Sequence, residues 1–153
     1  SMSVIEHFLT TYDEDFDYLV LLEPTSPLTD DKDVDDAIYK LISNRESADS
    51  IVGVSKVESR HPEYCVTINN NKINPYKGSF SKPIRRQDLD ELFFMDGSLY
   101  ISDIDKLLTT KSFYHSRTMP YVMPKWKSFE VDDIVDFFCI ENIMKNIKIL
   151  TKG

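Results

Sequence analysis

The stretch YLVLLEPTSPLTDDKDVDDAIYKLI, residues 18–42, decides the fold. Its first five residues, YLVLL, are continuously apolar and short, which fits a strand covered on both faces, as strands of a parallel sheet are. Pro24 stops it. From Asp33 onward, Val34, Ala37, Ile38, Leu41 and Ile42 repeat at the spacing of one helix face, with acidic residues crowding the first turn where the helix dipole favours them. Beyond that helix, SIVGVSKV (50–57) is β-branched and becomes alternating, so strand, helix and strand predict a right-handed βαβ unit and an α/β chain. EPTSP then lies past the carboxyl end of a strand, where open α/β sheets hold their ligands.

Working outward, Val4, Ile5, Phe8, Leu9 and Tyr12 have helical spacing and predict a short first helix. YCVTINNNKINPY (64–76) predicts two short strands around an Asn-rich turn, and KGSFSKPIRRQDLDE (77–91) has little periodicity. Residues 60–96 are therefore expected to leave the sheet as an excursion. GSLYI (97–101) predicts another short strand, DIDKLLTT (103–110) a helix of one or two turns, and MPYVMP (119–124) a Pro-bounded extended segment. Ile134, Val135, Phe138, Ile140, Ile143, Met144 and Ile147 mark a long C-terminal helix with a wide apolar face.

Composition bounds the function. In 153 residues, 41% hydrophobic and 12% aromatic side chains supply a core, which argues against disorder. The formal charge of −8 disfavours a nucleic-acid polymer as partner. Cys65 and Cys139 lack zinc spacing and are expected to be reduced, buried thiols. No apolar run approaches the roughly 18 residues of a membrane span, so no membrane partner is expected and the cytoplasm is the default compartment. Ser1 ahead of Met2 has the character of a cleavage scar and is set aside.

Four constellations could carry chemistry. In EPTSP the proline-locked turn presents Glu23, Thr25 and Ser26, one charged acceptor and two hydroxyls suited to a polyhydroxy ligand; the competing reading is an ordinary lead-in to a helix. PIRRQD offers Arg85 and Arg86 beside Gln87, a clamp for phosphate or carboxylate, although Asp88, Asp90 and Glu91 stand close enough to pair with them. SFEVDDIVD, if extended, turns Glu130 and Asp132 to one side, and two hard carboxylates suit Mg²⁺; Asp132, Asp133 and Asp136 equally fit plain decoration of a helix start. His61, alone before Pro62, shows no partner in the sequence and has a structural role as its main reading.

In their order along the chain, LLEPTSPLTD, SIVGVSKVESRHPEY, RRQDLDELFFMDGSLYI and SFEVDDIVDFFCIEN resemble successive motifs of the acylneuraminate cytidylyltransferases, the CMP-sialic acid synthetases and their relatives acting on legionaminic or pseudaminic acid. The resemblance spans nearly the whole chain. It implies a Rossmann-like nucleotidyltransferase fold, cytoplasmic and usually dimeric, that joins CTP to a nonulosonic acid sugar with Mg²⁺ and releases pyrophosphate. By motif, Glu23 stands where the family has a sugar-binding glutamine, and Arg85 and Arg86 match its double arginine, one of which is catalytic, with Gln87 as neighbour. Glu130 and Asp132 match an Asp-x-Asp metal pair, Asp136 a later acidic position, and Asp96 the asparagine of an Asn-Gly pair.

The departures bear on substrate. Glutamine donates and accepts, whereas an ionised Glu23 only accepts. Thr29 stands where an arginine follows Ser-Pro-Leu in the family. The family's Gly-rich, Arg/Lys-containing phosphate loop has no counterpart here, since Gly53, Gly78, Gly97 and Gly153 are scattered. The expectation is a single partial domain over 2–153: the C-terminal portion of a cytidylyltransferase, with one side of residues 18–22 left as an apolar edge open to another chain. The other reading is a non-catalytic relative retained for sugar binding or subunit assembly.

Overall fold

The computed structural model describes residues 2–12, 15–80 and 85–151. In chain order they form α1 (Met2–Thr11), β1 (Tyr18–Leu21), α2 (Asp31–Ser43), β2 (Ser50–Lys56), β3 (Val66–Asn69), β4 (Lys72–Pro75), β5 (Phe93–Asp103), α3 (Ile104–Thr110), β6 (Thr118–Val122), α4 (Ile134–Lys145) and α5 (Ile147–Leu150). Short 3-10 turns occupy Pro62–Tyr64, Arg86–Asp88 and Lys125–Lys127. The chain divides into two compact units, residues 1–55 with 95–153, and residues 56–94.

The first unit is built on a four-stranded sheet in the order β1-β5-β2-β6. β1 pairs antiparallel with β5, and β2 pairs parallel with β6. Ser55 bonds to Asp96 while Asp49, ahead of β2, accepts from Asp103, so β5 runs opposite to β2 as well. The sheet is therefore mixed. β1 and β2 point the same way with α2 connecting them, as the βαβ pattern predicts, but antiparallel β5 is inserted between them.

That insertion corrects one expectation. β1 pairs antiparallel instead of joining a parallel sheet and is only half-buried, with Val20 and the following Leu22 exposed, while its place at the sheet edge agrees with the open edge expected at residues 18–22. β2 is the strand that its apolar sequence describes, since every residue but Lys56 is buried. Its side chains alternate between two cores. Ile51 joins Ala37 and Leu41 of α2 with Leu99 and Ile101 of β5, whereas Val52 and Val54 join Ile5 of α1 and Leu107 of α3. Helices thus cover both faces of a mixed sheet, an arrangement consistent with a Rossmann-like fold.

Pro120 is tolerated within β6 because that strand is the other edge of the sheet. α2 starts at Asp31, slightly earlier than its apolar pattern predicts, because Asp30 and Asp33 close a reciprocal capping box. The long C-terminal helix is present but broken at Asn146 into α4 and α5. Its apolar face is not packed: among the described residues of α4 only Ile140 is buried, while Ile134, Val135, Phe137, Phe138 and Met144 are exposed. Apolar side chains surround this helix instead of forming one stripe, so no single face can turn them all inward. Both cysteines are free thiols, as expected, but exposed, Cys139 on α4 and Cys65 in the second unit.

The second unit contains the β3–β4 hairpin, in which Asn69 faces Lys72 and both turn residues, Asn70 (φ 50°) and Asn71 (φ 59°), are left-handed. Two consecutive left-handed residues define the tight hairpin turn that asparagine tolerates best among residues with a side chain. The two predicted strands and their Asn-rich turn are as read from the sequence. Ile68 and Ile73 face each other across the hairpin and are both exposed.

No helix among the described residues is long and apolar enough to cross a membrane.

Candidate functional site

The EPTSP segment is shaped by two consecutive proline-initiated turns. Ser26 N–H donates to the Glu23 carbonyl (3.0 Å) and Thr29 N–H to the Ser26 carbonyl (3.3 Å), with Pro24 and Pro27 each at the second position. Proline fixes φ there and so favours the bend. The turns bury Ser26 and leave Thr25 exposed and Glu23 partly exposed.

Against this corner lies the extended lead-in to α4. Val131 N–H donates to the Thr25 carbonyl at 2.8 Å, a bond that sets Glu130 beside Ser26 and Gly97. Ser26 Oγ lies 3.2 Å from the Gly97 carbonyl and is also hydrogen-bonded to the Glu130 carboxylate. Gly97 has φ +68°, and a Cβ there would stand 1.8 Å from Glu130 Oε1. Only glycine leaves room for that carboxylate in this backbone conformation.

Burial first, then the charges of Asp132, Asp96 and Glu23, hold the Glu130 carboxyl above the usual glutamate range; the Ser26 hydroxyl pulls weakly the other way. Glu130 is therefore acted on by the charges of three other carboxylates. Asp96 is 1% exposed, its oxygens accepting from Ser55 Oγ (2.5 Å) and Ser98 N–H (3.1 Å), so it acts on this corner from below through its field. Gly53 allows that packing, because a Cβ there would meet Ser98 Oγ at 1.9 Å and Asp96 Oδ1 at 2.7 Å.

The acidic residues after Asp132 are largely structural. Asp133 caps α4, accepting from Val135 N–H and Asp136 N–H, and Asp136 accepts from the backbone N–H of Asp132 and Asp133. Asp132 itself is exposed beside Glu130. Among the described residues, no three His, Cys, Asp or Glu side chains are grouped closely enough to hold a metal by themselves.

Of the sequence-predicted residues, Glu23, Thr25, Ser26, Asp96, Glu130 and Asp132 thus belong to the first unit, around one end of β1 and β5. Arg85, Arg86 and Gln87 belong to the second and are exposed. Arg86 Nη2 lies 3.8 Å from Glu58, not against the nearer-in-sequence Asp88, Asp90 or Glu91.

Two residues of the corner escaped sequence reasoning. Burial, then the Tyr114 hydroxyl and the charges of Glu23 and Glu130, push the Tyr100 phenol far above its ordinary value, so it stays protonated beside the carboxylates. Lys127 is 6% exposed and its ammonium bonds to both Asp30 (2.7 Å) and the buried Asp33, fastening the segment before Glu130 to the start of α2. Burial pushes the Tyr121 phenol up to about 12, with Asp33 and Asp36 adding to it, and its hydroxyl donates to Asp33 (3.3 Å). Five aspartates crowded into residues 30–36 were the signal for a buried counter-charge, but the sequence does not say which lysine supplies it.

No family model matches the chain. It is 34% identical over 137 residues to the N-acylneuraminate cytidylyltransferase of Streptococcus agalactiae serotype V, an alignment covering 90% of this chain and 32% of that protein. It is 28% identical over 137 residues to the CMP-N,N'-diacetyllegionaminic acid synthase of Legionella pneumophila, covering 85% of this chain and 55% of that one. The N-acylneuraminate cytidylyltransferase of Escherichia coli O18:K1:H7 is 27% identical over 139 residues, again covering 90% and 32%. The chain spans about a third of the length of the first of these relatives. Over nine tenths of its own length, the chain is similar to part of proteins named N-acylneuraminate cytidylyltransferase.

Proposed function

We propose that the chain contributes the sugar and metal side of a reaction transferring CMP from CTP to a nonulosonic acid of the sialic type. A sugar hydroxyl attacks the α-phosphorus, the new C–O–P linkage forms as the bond to pyrophosphate breaks, and the hydroxyl proton is released to solvent. The carrying observation is the Val131 N–H bond to the Thr25 carbonyl, which sets Glu130 beside Ser26 and Gly97 at the EPTSP turn. The charges of Asp132, Asp96 and Glu23 add to burial in raising its carboxyl, a field that a bound cation would offset.

Hard oxygen donors of this kind fit Mg²⁺, which binds one or two carboxylates and completes its shell with water and phosphate. Glu130 and Asp132 would hold it. When bound, the ion would offset negative charge on the phosphate oxygens. Glu23, at the end of β1, accepts hydrogen bonds from sugar hydroxyls, and the exposed Thr25 hydroxyl adds a second polar contact. Arg85, Arg86 and Gln87 enter the proposal through their motif, as donors to anionic groups of the reactants.

Isothermal titration tests this reading. CTP with Mg²⁺, or N-acetylneuraminic acid, is expected to bind the chain and to bind Glu130→Gln much more weakly. Binding of neither by the wild type contradicts the proposal and favours a non-catalytic assembly role.

The pH dependence of Glu130 gives a separate prediction. A carboxyl raised in the folded state adds stability that is fully present below its unfolded value of 4.5 and lost as pH rises through the folded value. At neutral pH the ionised group therefore destabilises the fold. Glu130→Gln is expected to raise the melting temperature at pH 7, to flatten its decline above pH 4.5, and to abolish any Mg²⁺-dependent rise; thermal denaturation at several pH values, with and without Mg²⁺, reads all three.

A cytoplasmic homodimer belongs to the same proposal. The Ile68–Ile73 pair of the hairpin is exposed on both strands, an apolar surface whose burial against a second copy would be favourable. Sedimentation across micromolar concentrations is expected to show a dimer, and Ile68→Lys to weaken it at least tenfold. A wild type that stays monomeric contradicts this assignment.

A further inference from the structure

Asp96 is a buried carboxylate to which the proposed reaction assigns no contact. It is 1% exposed, and neutral donors engage both of its oxygens: Oδ2 accepts from Ser55 Oγ (2.5 Å) and Oδ1 from Ser98 N–H (3.1 Å). Ser55, also 1% exposed, belongs to β2, whose residues are all buried except Lys56. Asp96 and Ser98 flank Gly97, which has φ +68°. The Ser55 hydroxyl therefore ties to a central strand the carboxylate that closes a bend over Gly97.

The corner hangs on that bend. Ser26 Oγ lies 3.2 Å from the Gly97 carbonyl, and Thr29 Oγ1 donates to the Ser98 carbonyl at 3.3 Å. The missing Cβ of Gly97 gives the Glu130 carboxylate its place, since a Cβ there would stand 1.8 Å from Oε1. Between Ser26 and Glu130 the chain is fixed by the Val131 N–H bond to the Thr25 carbonyl (2.8 Å). A continuous path of contacts thus runs from Ser55 through Asp96 and the bend to Ser26, Thr25 and Glu130.

We propose that Ser55 and Asp96 are positioning residues: they hold the Gly97 bend, and through it the Glu130 carboxylate, where Glu130 meets a cation, while Asp96 itself touches no ligand. The place asks for two buried acceptors on one side chain, because a stranded Ser55 hydroxyl and a stranded Ser98 N–H would each be costly in a dry setting. Asparagine is the conservative replacement. Its Oδ1 accepts from Ser98 N–H, and its amide donates to Ser55 Oγ, which then serves as acceptor. Alanine satisfies neither group. This deepens the reading above and rests on it for the cation alone.

Amide hydrogen exchange followed by NMR on the full chain, with Mg²⁺ titrated alongside, tests the assignment. In Asp96→Ala the Ser98 amide loses its acceptor and is expected to exchange faster. The Val131 amide, which Asp96 does not touch, is expected to exchange about tenfold faster as well, while the Ala37 amide of α2 keeps its wild-type rate. Mg²⁺ is expected to bind about tenfold more weakly, and Asp96→Asn to recover both properties. Ser55→Ala removes one bond and little volume; it is expected to give the same pattern at smaller size and decides the matter if Asp96→Ala does not fold. A Val131 rate that stays at the wild-type value, or that rises only in step with Ala37, overturns the inference, since a merely structural role loosens the whole unit together. A wild type that ignores Mg²⁺ overturns the proposed function, and the exchange rates still decide the role of Ser55 and Asp96.

Discussion

Lys127→Met is expected to destabilise the first unit by about 3–5 kcal/mol, the range found when one partner of a buried ion pair is removed and the other is left unpaired. Lys127 and Asp33 are 6% and 7% exposed at their side chains, so Asp33 would keep the Tyr121 hydroxyl and Asp30 N–H but lose its counter-charge in a dry setting. Against total stabilities of about 5–15 kcal/mol, that loss brings the fold close to its limit. Asp30, whose side chain is 44% exposed, contributes much less. Urea denaturation at pH 7 measures the loss. Replacing Asp33 as well, in Asp33→Leu with Lys127→Met, removes the stranded charge and is expected to recover part of it.

The same network sets a pH window. Burial acts to raise the Asp30 carboxyl, but hydrogen bonds and charge from Lys127 outweigh it and hold the group below its ordinary 3.8. Burial likewise acts to lower Lys127, and its bonds to Asp30 and Asp33 outweigh that, holding the ammonium above its ordinary 10.5. A depressed acid stabilises above its unfolded value and loses that contribution as pH falls through the folded one; a raised base stabilises below its unfolded value and loses it as pH rises through the folded one. The network's contribution is thus full between about pH 4 and pH 10.5 and declines outside both ends, and Lys127→Met is expected to flatten both limbs.

Gly97→Ala is the second large effect, expected at about 2–4 kcal/mol. The cost has two sources. A left-handed φ of +68° strains any residue with a Cβ, and that Cβ would stand 1.8 Å from Glu130 Oε1, so the carboxylate must move. Displacing Glu130 breaks its contact with Ser26. The variant is therefore expected to lose Mg²⁺ response along with stability, whereas Glu130→Gln loses the response while gaining stability. Thermal denaturation with and without Mg²⁺ separates the two patterns.

The α/β class, the helices at either end, the Asn-turn hairpin and β2 were legible because each rests on local periodicity or turn chemistry. The open edge at residues 18–22 was expected as well, but the antiparallel pairing of β1 was not. Its five apolar residues describe a strand, while its direction in the sheet is decided by where β5 inserts, and that pairing links residues about 80 apart in sequence. For the same reason GSLYI predicted only the middle of β5, whose ends carry Phe93, Phe94 and Asp103. The apolar residues of α4 misled in the opposite direction: they marked a helix correctly and its burial incorrectly, because burial needs a facing surface that the pattern alone does not supply.

At the site, the sequence pointed to Glu23, Ser26 and Glu130 through motif and turn chemistry, and the fold brings them together. It could not separate Asp132 from Asp133 and Asp136, two of which are consumed in capping α4. Nor could it single out Tyr100 or Lys127, whose roles arise from neighbours far along the chain. His61 showed no partner in the sequence; in the fold its Nδ1 accepts from Glu63 N–H, and its buried Nε2 has no hydrogen-bond partner among the described residues.

The central claim is that this chain carries working machinery of a CMP transfer to a nonulosonic acid. Pyrophosphate release from CTP, followed with Mg²⁺ present and N-acetylneuraminic acid added or withheld, tests it most directly. Sugar-dependent release that falls at least a hundredfold in Glu130→Gln is the predicted result; release that is absent, or that is indifferent to both the sugar and Glu130, contradicts it.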